Sequence, residues 1–574
     1  LSPTAQILAQ DLKELFGWNY VIKTGKPVGK DICLSLSKPD KELGEEGYTL
    51  TVNRYAGIAA PTGQGVFWGT RTLLQILHNE QGKLPKGTAR DYPLFPNRGF
   101  MLDVARKFFT MDYLKQYVKI LSFYKMNEFQ IHLNDNGFPQ FFGDDWNRTY
   151  AAFRLESERF PGLTAKDGSY SKQEFINLQR MGLEYGVRII PEIDIPAHSL
   201  AFAHYKPEIA SRKYGMDHLD IGTVEYNKKE AEQYRYFTDR YLKFVEKYGK
   251  NVRMWGGLKW LPGKTPVKAE GVTVNAWSYD WVDPVVSLQD GYKLINTCDT
   301  YLYIVPAAGY YRDFLDHQWI YEKWSPWIMN RKQTLPEGTP GVLGGMFAVW
   351  NDKCGNGISE QDVHLRSFPA MQVLAEKLWK GENKNVTYEA FAKLCKTTPE
   401  APGINLLGKV PAETALTEAG KELSFNGKEA VSTPLQEVGY PYSVEFQLCP
   451  EKTNPISSIL FQGPHSVVYT NWENTRRIAF SRDGCTFVFN SYRLPADQWT
   501  TIRIEGDYKG TSLYINGALQ ERLEGRTMQV YRKEYDRMEH MTYQETLIFP
   551  LQQIGDSRNG FKGKLKNILV RQQH

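Results

Sequence analysis

The stretch from 187 to 198, VRIIPEIDIPAH, decides the fold: an apolar, strand-like run breaks off into Glu192, Asp194 and His198 where a buried strand would end. Two further runs behave alike. RGFMLDVAR (98–106) closes on Asp103 and MNEFQIHLNDN (126–136) closes on Asp135. Parallel strands buried on both faces read as near-continuous apolar runs, and in a (β/α)8 barrel the reactive groups gather at the strands' C-terminal ends. Any one of these carboxylates is explained by capping a loop or pairing with an arginine. Three strand ends finishing in chemistry together point to a site.

Outward from that stretch, strand-like and helical runs alternate between residues 95 and 380, the sequence form of repeated βα units. Eight strands are predicted, at 98–104, 127–133, 187–194, 219–224, 252–256, 272–277, 293–297 and 342–350. DYLKQYVKILSFYK places Leu114, Val118 and Leu121 on one helical face. The segment from Lys228 does the same with Tyr234, Phe237, Tyr241 and Val245. Between the third and fourth strands, AHSLAFAHYKPEIASRKYGMDH offers at best one short helix, so that connection reads as shortened.

Residues 1–94 read as a small α+β unit, with a helix at 4–16, strands near 19–23 and 31–36, and a strand-to-helix segment from 47 to 77; Pro93 and Pro96 mark its end. A linker of mixed character (381–421) leads to an all-β remainder (422–574), whose strands separated by Gly, Asp and Asn turns predict a β-sandwich. The fold class expected is therefore α/β: a (β/α)8 barrel preceded by a small α+β domain and followed by a jelly-roll sandwich.

Composition excludes more than it assigns. At 574 residues the chain needs several cores. Its 70 basic and 65 acidic residues leave a net +5 with no long basic run, so nucleic acid is not an expected partner. No apolar run reaches membrane-spanning length, and the first residues read as an amphipathic helix rather than a secretory signal. The six cysteines show no CxxC pairing, so no metal site is predicted. Fourteen Trp, 34 Tyr and 29 Phe supply many flat apolar faces, which serve core packing and also suit sugar rings.

Read together, RGFMLDVARKFF, HLNDNGFPQ, PEIDIPAHS and GTVEYNKKE resemble glycoside hydrolase family 20, the β-N-acetylhexosaminidases. The tail, LYINGALQERL with IGDSRNGFKGKLKNILV, resembles concanavalin-like, laminin-G-type domains, which bind glycans or serve as structural companions. The resemblance implies hydrolysis of a terminal N-acetylglucosamine or N-acetylgalactosamine of a glycan, without cofactor or metal. It also implies a periplasmic, cell-surface or secreted setting in a bacterium, with mucin glycans among the substrates. In that family the substrate's own acetamido oxygen attacks C1, an exception to the two-carboxylate scheme.

By the same resemblance Glu225 is the acid/base. The family's neighbouring aspartate, which orients the acetamide, is replaced by Val224, and losing one preorganised electrostatic partner costs about 3 to 4 kcal/mol. A catalytically silent glycan-binding homologue is therefore a second reading. A third uses Glu192 or Asp194 with Glu225 in a two-carboxylate mechanism. Asp135 and His198 match a carboxylate–imidazole pair behind the acid, and Arg98 the arginine that grips the sugar's O3 and O4. Trp255, Trp277 and Trp350 match the acetamide box, Tyr301 the tyrosine that hydrogen-bonds the acetamide oxygen, and Asp352 the acid that accepts from O4 and O6. Where many relatives carry an aspartate near O6, this chain has Tyr303, and Lys353 follows Asp352; removing that repulsion suggests acceptance of 6-O-sulfated N-acetylglucosamine.

Overall fold

A computed structural model describes residues 1–221, 228–258, 261–278, 280–533 and 536–572, the side chains of 228 and 229 excepted. It divides into two compact units, 1–352 with 366–404, and 353–365 with 405–574. Among the described residues no helix is long and apolar enough to cross a membrane.

The first unit opens with a four-stranded sheet, in the order Ile32–Leu36, Ala56–Ala60, Tyr48–Val52, Gly87–Asp91, and the helices Ser2–Phe16 and Gly63–Asn79. Thr62 caps the second helix by accepting from the Gly65 N–H. Gly69 lets that helix lie close to the sheet, because a Cβ there would stand 2.5 Å from Ile58. The strand expected at 19–23 does not form: Tyr20, Val21 and Ile22 remain exposed, with no strand alongside to take their backbone groups.

Seven of the eight predicted barrel strands are present and parallel. They are β1 (Asn97–Asp103), β2 (Glu128–His132), β3 (Arg188–Glu192), β4 (Val252–Trp255), β5 (Val272–Ala276), β6 (Lys293–Asn296) and β7 (Val342–Val349), in the sheet order β4-β5-β6-β7-β1-β2-β3. A two-residue strand, Tyr303–Ile304, adds to β7. The predicted fourth strand, 219–224, is a correction as far as it is described. The chain up to Leu219 turns into an antiparallel hairpin, Ala210–Ser211 with Gly215–Leu219, and residues 222–227 lie outside the described residues. Described contacts therefore leave the sheet open between β3 and β4. The connection after β3 holds one six-residue helix, Leu200–Tyr205.

The helix Met111–Phe123 buries Leu114, Val118 and Leu121 as the spacing required. The helix Lys228–Glu246 forms too, but it buries Leu242 and leaves Tyr241 exposed.

Strand β2 shows how the barrel is wired. Its outward residues are apolar, with Phe129 stacked at 5.4 Å on Phe100 and 6.1 Å from Tyr117 of the preceding helix, Met111–Phe123. Its other face is polar at every level. Glu128 pairs with Arg188 and Arg253 (both 2.7 Å), Gln130 donates to Glu192 (2.5 Å) and accepts from Arg253 (3.1 Å), and His132 closes the column. Strand alternation of period two separates the two sets.

The second unit is two antiparallel sheets. One runs in the order Glu413–Ala415, Lys562–Gln572, Tyr442–Pro450, Thr500–Gly506, Thr511–Ile515, Ala518–Leu523. The other runs Ala430–Ser432, Gln553–Gly555, Ser458–Gln462, Ser466–Thr470, Ala479–Arg482, Cys485–Val488. Tyr442–Pro450 alternates strictly between buried and half-buried residues. Val444, Phe446, Ile502 and Leu513 of the first sheet share one core with Phe461, Val468, Phe480 and Ile554 of the second, which is a sandwich.

Candidate active site

The three strand ends singled out in the sequence lie side by side. Asp103 of β1 is in register with His132 of β2, and His132 with Glu192 of β3. Asp103 is structural: its carboxylate accepts from the backbone N–H groups of Ala105 and Arg106 (3.0 Å each) and Asn351 (3.0 Å), tying the end of β1 to the end of β7.

His132 is fully buried, with Nδ1 2.7 Å from Glu192 and Nε2 2.7 Å from Asp135. Burial opposes its charge, but the two flanking carboxylates outweigh burial and hold the ring protonated well above the ordinary histidine range. Asp135, also fully buried, accepts from His132, from His198 Nδ1 (2.8 Å), from the Asn136 N–H (2.7 Å) and from Arg106 (2.7 Å). Burial alone would raise its pKa; Arg106 and His198 reverse that and keep it ionised far below the usual carboxylate range.

The predicted Asp135 and His198 are thus brought together. His198 sits at a positive φ of 57° with its ring 47% exposed. The loss of surrounding water works against its charge, yet Asp135 dominates and lifts the ring to about 9. Asp194 goes the other way: burial first, then the charge of Glu192, push its carboxyl up to about 7.

The aromatic residues also converge, with one exchange. Trp255 donates its Nε1–H to Glu192 at 2.6 Å and lies 5.5 Å from Trp350, whose ring stands edge-on to His132 at 4.9 Å. Tyr303 is 5.8 Å from Trp350 and 6.4 Å from Trp277, nearly parallel to the latter. Trp255, Trp277, Trp350 and Tyr303 therefore belong to one cluster.

Tyr301 does not join it. Tyr301 belongs to the single helical turn Asp299–Leu302 and stacks on Trp319 at 4.3 Å, whereas Tyr303 begins the strand paired with Ala348 and so enters the inner layer. The tyrosine of the cup is Tyr303, not Tyr301.

Arg98 is the second correction. It stands at the start of β1, about 16 Å along the strand from Asp103 at roughly 3.3 Å per residue. Its guanidinium is fully buried, donating to the Lys125 and Phe95 carbonyls (2.8 Å each) and paired with Glu46. Nothing of it reaches the site. The guanidinium that does is Arg106, missed in the sequence. It bridges Asp103 (3.1 Å), Asp135 (2.7 Å) and Asp352 (3.4 Å), while its Nε donates to the Asn136 carbonyl at 2.7 Å. Asp352 also accepts from Tyr310 at 2.7 Å. Val224 and Glu225 lie outside the described residues.

His132, Glu192 and Asp194 bring one donor atom each within 4.8 Å of one another, close enough to suggest a cation site. Both ring nitrogens of His132 are already hydrogen-bonded to carboxylates, so no lone pair is left to coordinate a metal there.

Comparison with known proteins places the chain in a family. The chain is 28% identical over 233 residues to a beta-hexosaminidase of Porphyromonas gingivalis, covering 37% of this chain and 28% of that protein. It is 32% identical over 200 residues to a beta-hexosaminidase of Akkermansia muciniphila, covering 33% and 38%. The matches thus span between about a quarter and two fifths of those relatives' length. Among solved structures, a mutant Streptomyces plicatus beta-hexosaminidase in complex with product N-acetylglucosamine superposes with a TM-score of 0.56 at 21% identity, over 70% of this chain and 89% of that one. A Vibrio harveyi exo β-N-acetylglucosaminidase superposes at 0.54 and 18% identity, over 69% and 71%; these likenesses speak for the fold. The family model "Glycosyl hydrolase family 20, domain 2" matches residues 1–92, and "Glycosyl hydrolase family 20, catalytic domain" matches 95–228 and 222–382. With the catalytic-domain match alone reaching across half of its 574 residues, the chain belongs to glycoside hydrolase family 20.

Proposed function

We propose that this chain is an exo-acting, retaining β-N-acetylhexosaminidase that removes terminal N-acetylglucosamine or N-acetylgalactosamine from glycoconjugates outside the cytoplasm. One observation carries the proposal: a cup of Trp255, Trp277, Trp350 and Tyr303 stands beside the buried Arg106 and the half-buried Asp352 that it pairs with. The cup suits a flat acetamide, and the charged pair suits the hydroxyls of a non-reducing end. In substrate-assisted hydrolysis the acetamide must fold under C1, so a tight apolar enclosure around it is part of the chemistry. The buried Asp135 and the exposed His198 form a charged pair, suited to setting the proton affinity of an acid such as Glu225.

Hydrolysis of p-nitrophenyl N-acetyl-β-D-glucosaminide, with loss in Glu225→Gln and no turnover of the plain β-glucoside, tests this. Turnover of both glycosides at equal rates refutes it in favour of a two-carboxylate mechanism.

Val224 favours a second reading, a glycan-binding homologue with little or no turnover. A Val224→Asp variant that gains a hundredfold or more supports impairment at that position, on the scale of one lost electrostatic partner. Tyr303 stands in the sequence where many relatives carry an aspartate near O6. At that position Tyr303 carries no charge to repel a sulfate, so the proposal includes acceptance of 6-O-sulfated N-acetylglucosamine; absence of any turnover of its p-nitrophenyl glycoside would refute it.

A further inference from the structure

Asp352 is held from two sides. Its Oδ1 faces Arg106 at 3.4 Å, and its Oδ2 accepts from the Tyr310 hydroxyl at 2.7 Å. A carboxylate bound through one oxygen turns about its Cβ–Cγ bond and offers its lone pairs over a cone. Bound through both, it keeps one plane and offers the remaining lone pairs in fixed directions.

Tyr310 can act as the second clamp because its loop is itself fixed. The chain leaves the strand Tyr303–Ile304 and turns back, closed by the Val305 N–H donating to the Arg312 carbonyl at 2.9 Å. At the turn Ala307 holds a left-handed φ of 58°, which residues with a Cβ rarely adopt. Asp313 keeps it there: its carboxylate accepts from the Ala307 N–H at 3.1 Å and is gripped by the buried guanidinium of Arg366 at 2.7 Å. Such strain persists only where the surroundings over-determine it, and it gathers at sites that bind. The loop turns two tyrosines toward the site. Tyr311 stands edge-on to Tyr303 of the cup at 5.6 Å and donates to Asp299 at 3.1 Å, while Tyr310 stands edge-on to Tyr311 at 5.5 Å and reaches Asp352.

We propose that Tyr310 is a positioning residue that makes the site discriminate between the two configurations at C4 of the terminal sugar; this rests on the hexosaminidase reading above, with Asp352 receiving that hydroxyl. N-acetylglucosamine carries O4 equatorial and N-acetylgalactosamine carries it axial, so the two O–H groups meet Asp352 along different directions. A fixed carboxylate serves one direction well. A turning carboxylate serves both about equally.

The test is isothermal titration of the full chain with N-acetylglucosamine, N-acetylgalactosamine and 4-deoxy-N-acetylglucosamine, which reads binding whatever Val224 does to turnover. The parent chain should bind one epimer about tenfold more tightly than the other, the scale of one well-aimed hydrogen bond to a charged group. In Tyr310→Phe, which removes only the hydroxyl, that gap should shrink to about threefold or less, and the preferred epimer's lead over the 4-deoxy sugar should shrink with it. All three sugars carry O6, so contacts there cancel from these ratios. Tyr311→Phe, on the same loop but bonded to Asp299, should leave the gap intact. An undiminished gap in Tyr310→Phe, a gap lost equally in both variants, or epimers bound equally by the parent overturns the positioning role alone. A parent chain that binds none of the three sugars overturns the hexosaminidase reading with it.

Discussion

Replacing Arg106 with alanine should destabilise the barrel by about 3 kcal/mol, the lower end of what removing one partner of a buried ion pair costs. The lower end follows from the neighbours. Asp103 keeps three backbone donors, Asp135 keeps two histidines and the Asn136 N–H, and Asp352 keeps Tyr310. What disappears is the common counter-charge of three carboxylates, two of them fully buried, and the Nε–H bond to the Asn136 carbonyl. Lysine restores a positive charge but, as a compact ammonium, cannot span all three acids or replace the Nε–H. Arg106→Lys should therefore lose about 1.5 to 2 kcal/mol, the lower part of the range for a charge-assisted hydrogen bond. Urea unfolding followed by tryptophan fluorescence reads both variants. N-acetylglucosamine titration should show at least a tenfold loss of affinity in the lysine variant, because the freed Asp352 no longer faces a fixed guanidinium. An alanine variant within 1 kcal/mol of wild type would refute the role assigned to Arg106.

Asp194, raised to about 7, costs stability once it ionises. That cost is absent below about pH 3.8, grows as pH rises and is complete above 7, so Asp194→Asn should stabilise the fold at pH 8, by no more than about 4 kcal/mol, and leave it unchanged near pH 3.5 in urea titrations. For His198 the sign is opposite. Its raised folded pKa means that pairing with Asp135 stabilises fully below about pH 6.5 and fades as pH passes about 9. Diethylpyrocarbonate acylation of His198, which needs the neutral ring, should be slow at pH 7.5 and accelerate severalfold in Asp135→Asn; equal rates would contradict the pairing. Tyr303→Phe should lower kcat/KM on p-nitrophenyl N-acetyl-β-D-glucosaminide by tenfold or more, and Tyr301→Phe by less than twofold, the reverse ranking counting against the exchange of the two tyrosines.

The barrel was legible wherever its strands are apolar runs ending in charge, and the row Asp103, His132, Glu192 follows from three such ends. Period and length fixed helices such as Met111–Phe123. What escaped was direction within a motif. RGFMLDVAR offers two arginines, and only their places along the strand separate them: Arg98 enters β1 at the end where no chemistry gathers, Arg106 follows its C-terminal end. That rule, applied to the sequence, would have chosen Arg106. No comparable rule distinguishes Tyr301 from Tyr303, because a helical turn of four residues between two strand segments leaves no periodic trace. The hairpin that takes up the described start of the predicted fourth strand was foreshadowed by the connection after His198, which up to Leu219 holds a six-residue α-helix and a three-residue 3-10 turn.

The polar column inside the barrel constrains how this protein can change. Glu128, Gln130 and His132 each hold partners on other strands, from Arg188 and Arg253 at one end to Glu192 and Asp135 at the other. Exchanging Gln130 or His132 for an aliphatic residue strands the buried Glu192 or Asp135, while exchanging a whole set together leaves no orphan. Directed evolution by single steps is therefore blocked along this axis, and new specificities are more accessible through the rim than through the barrel's centre.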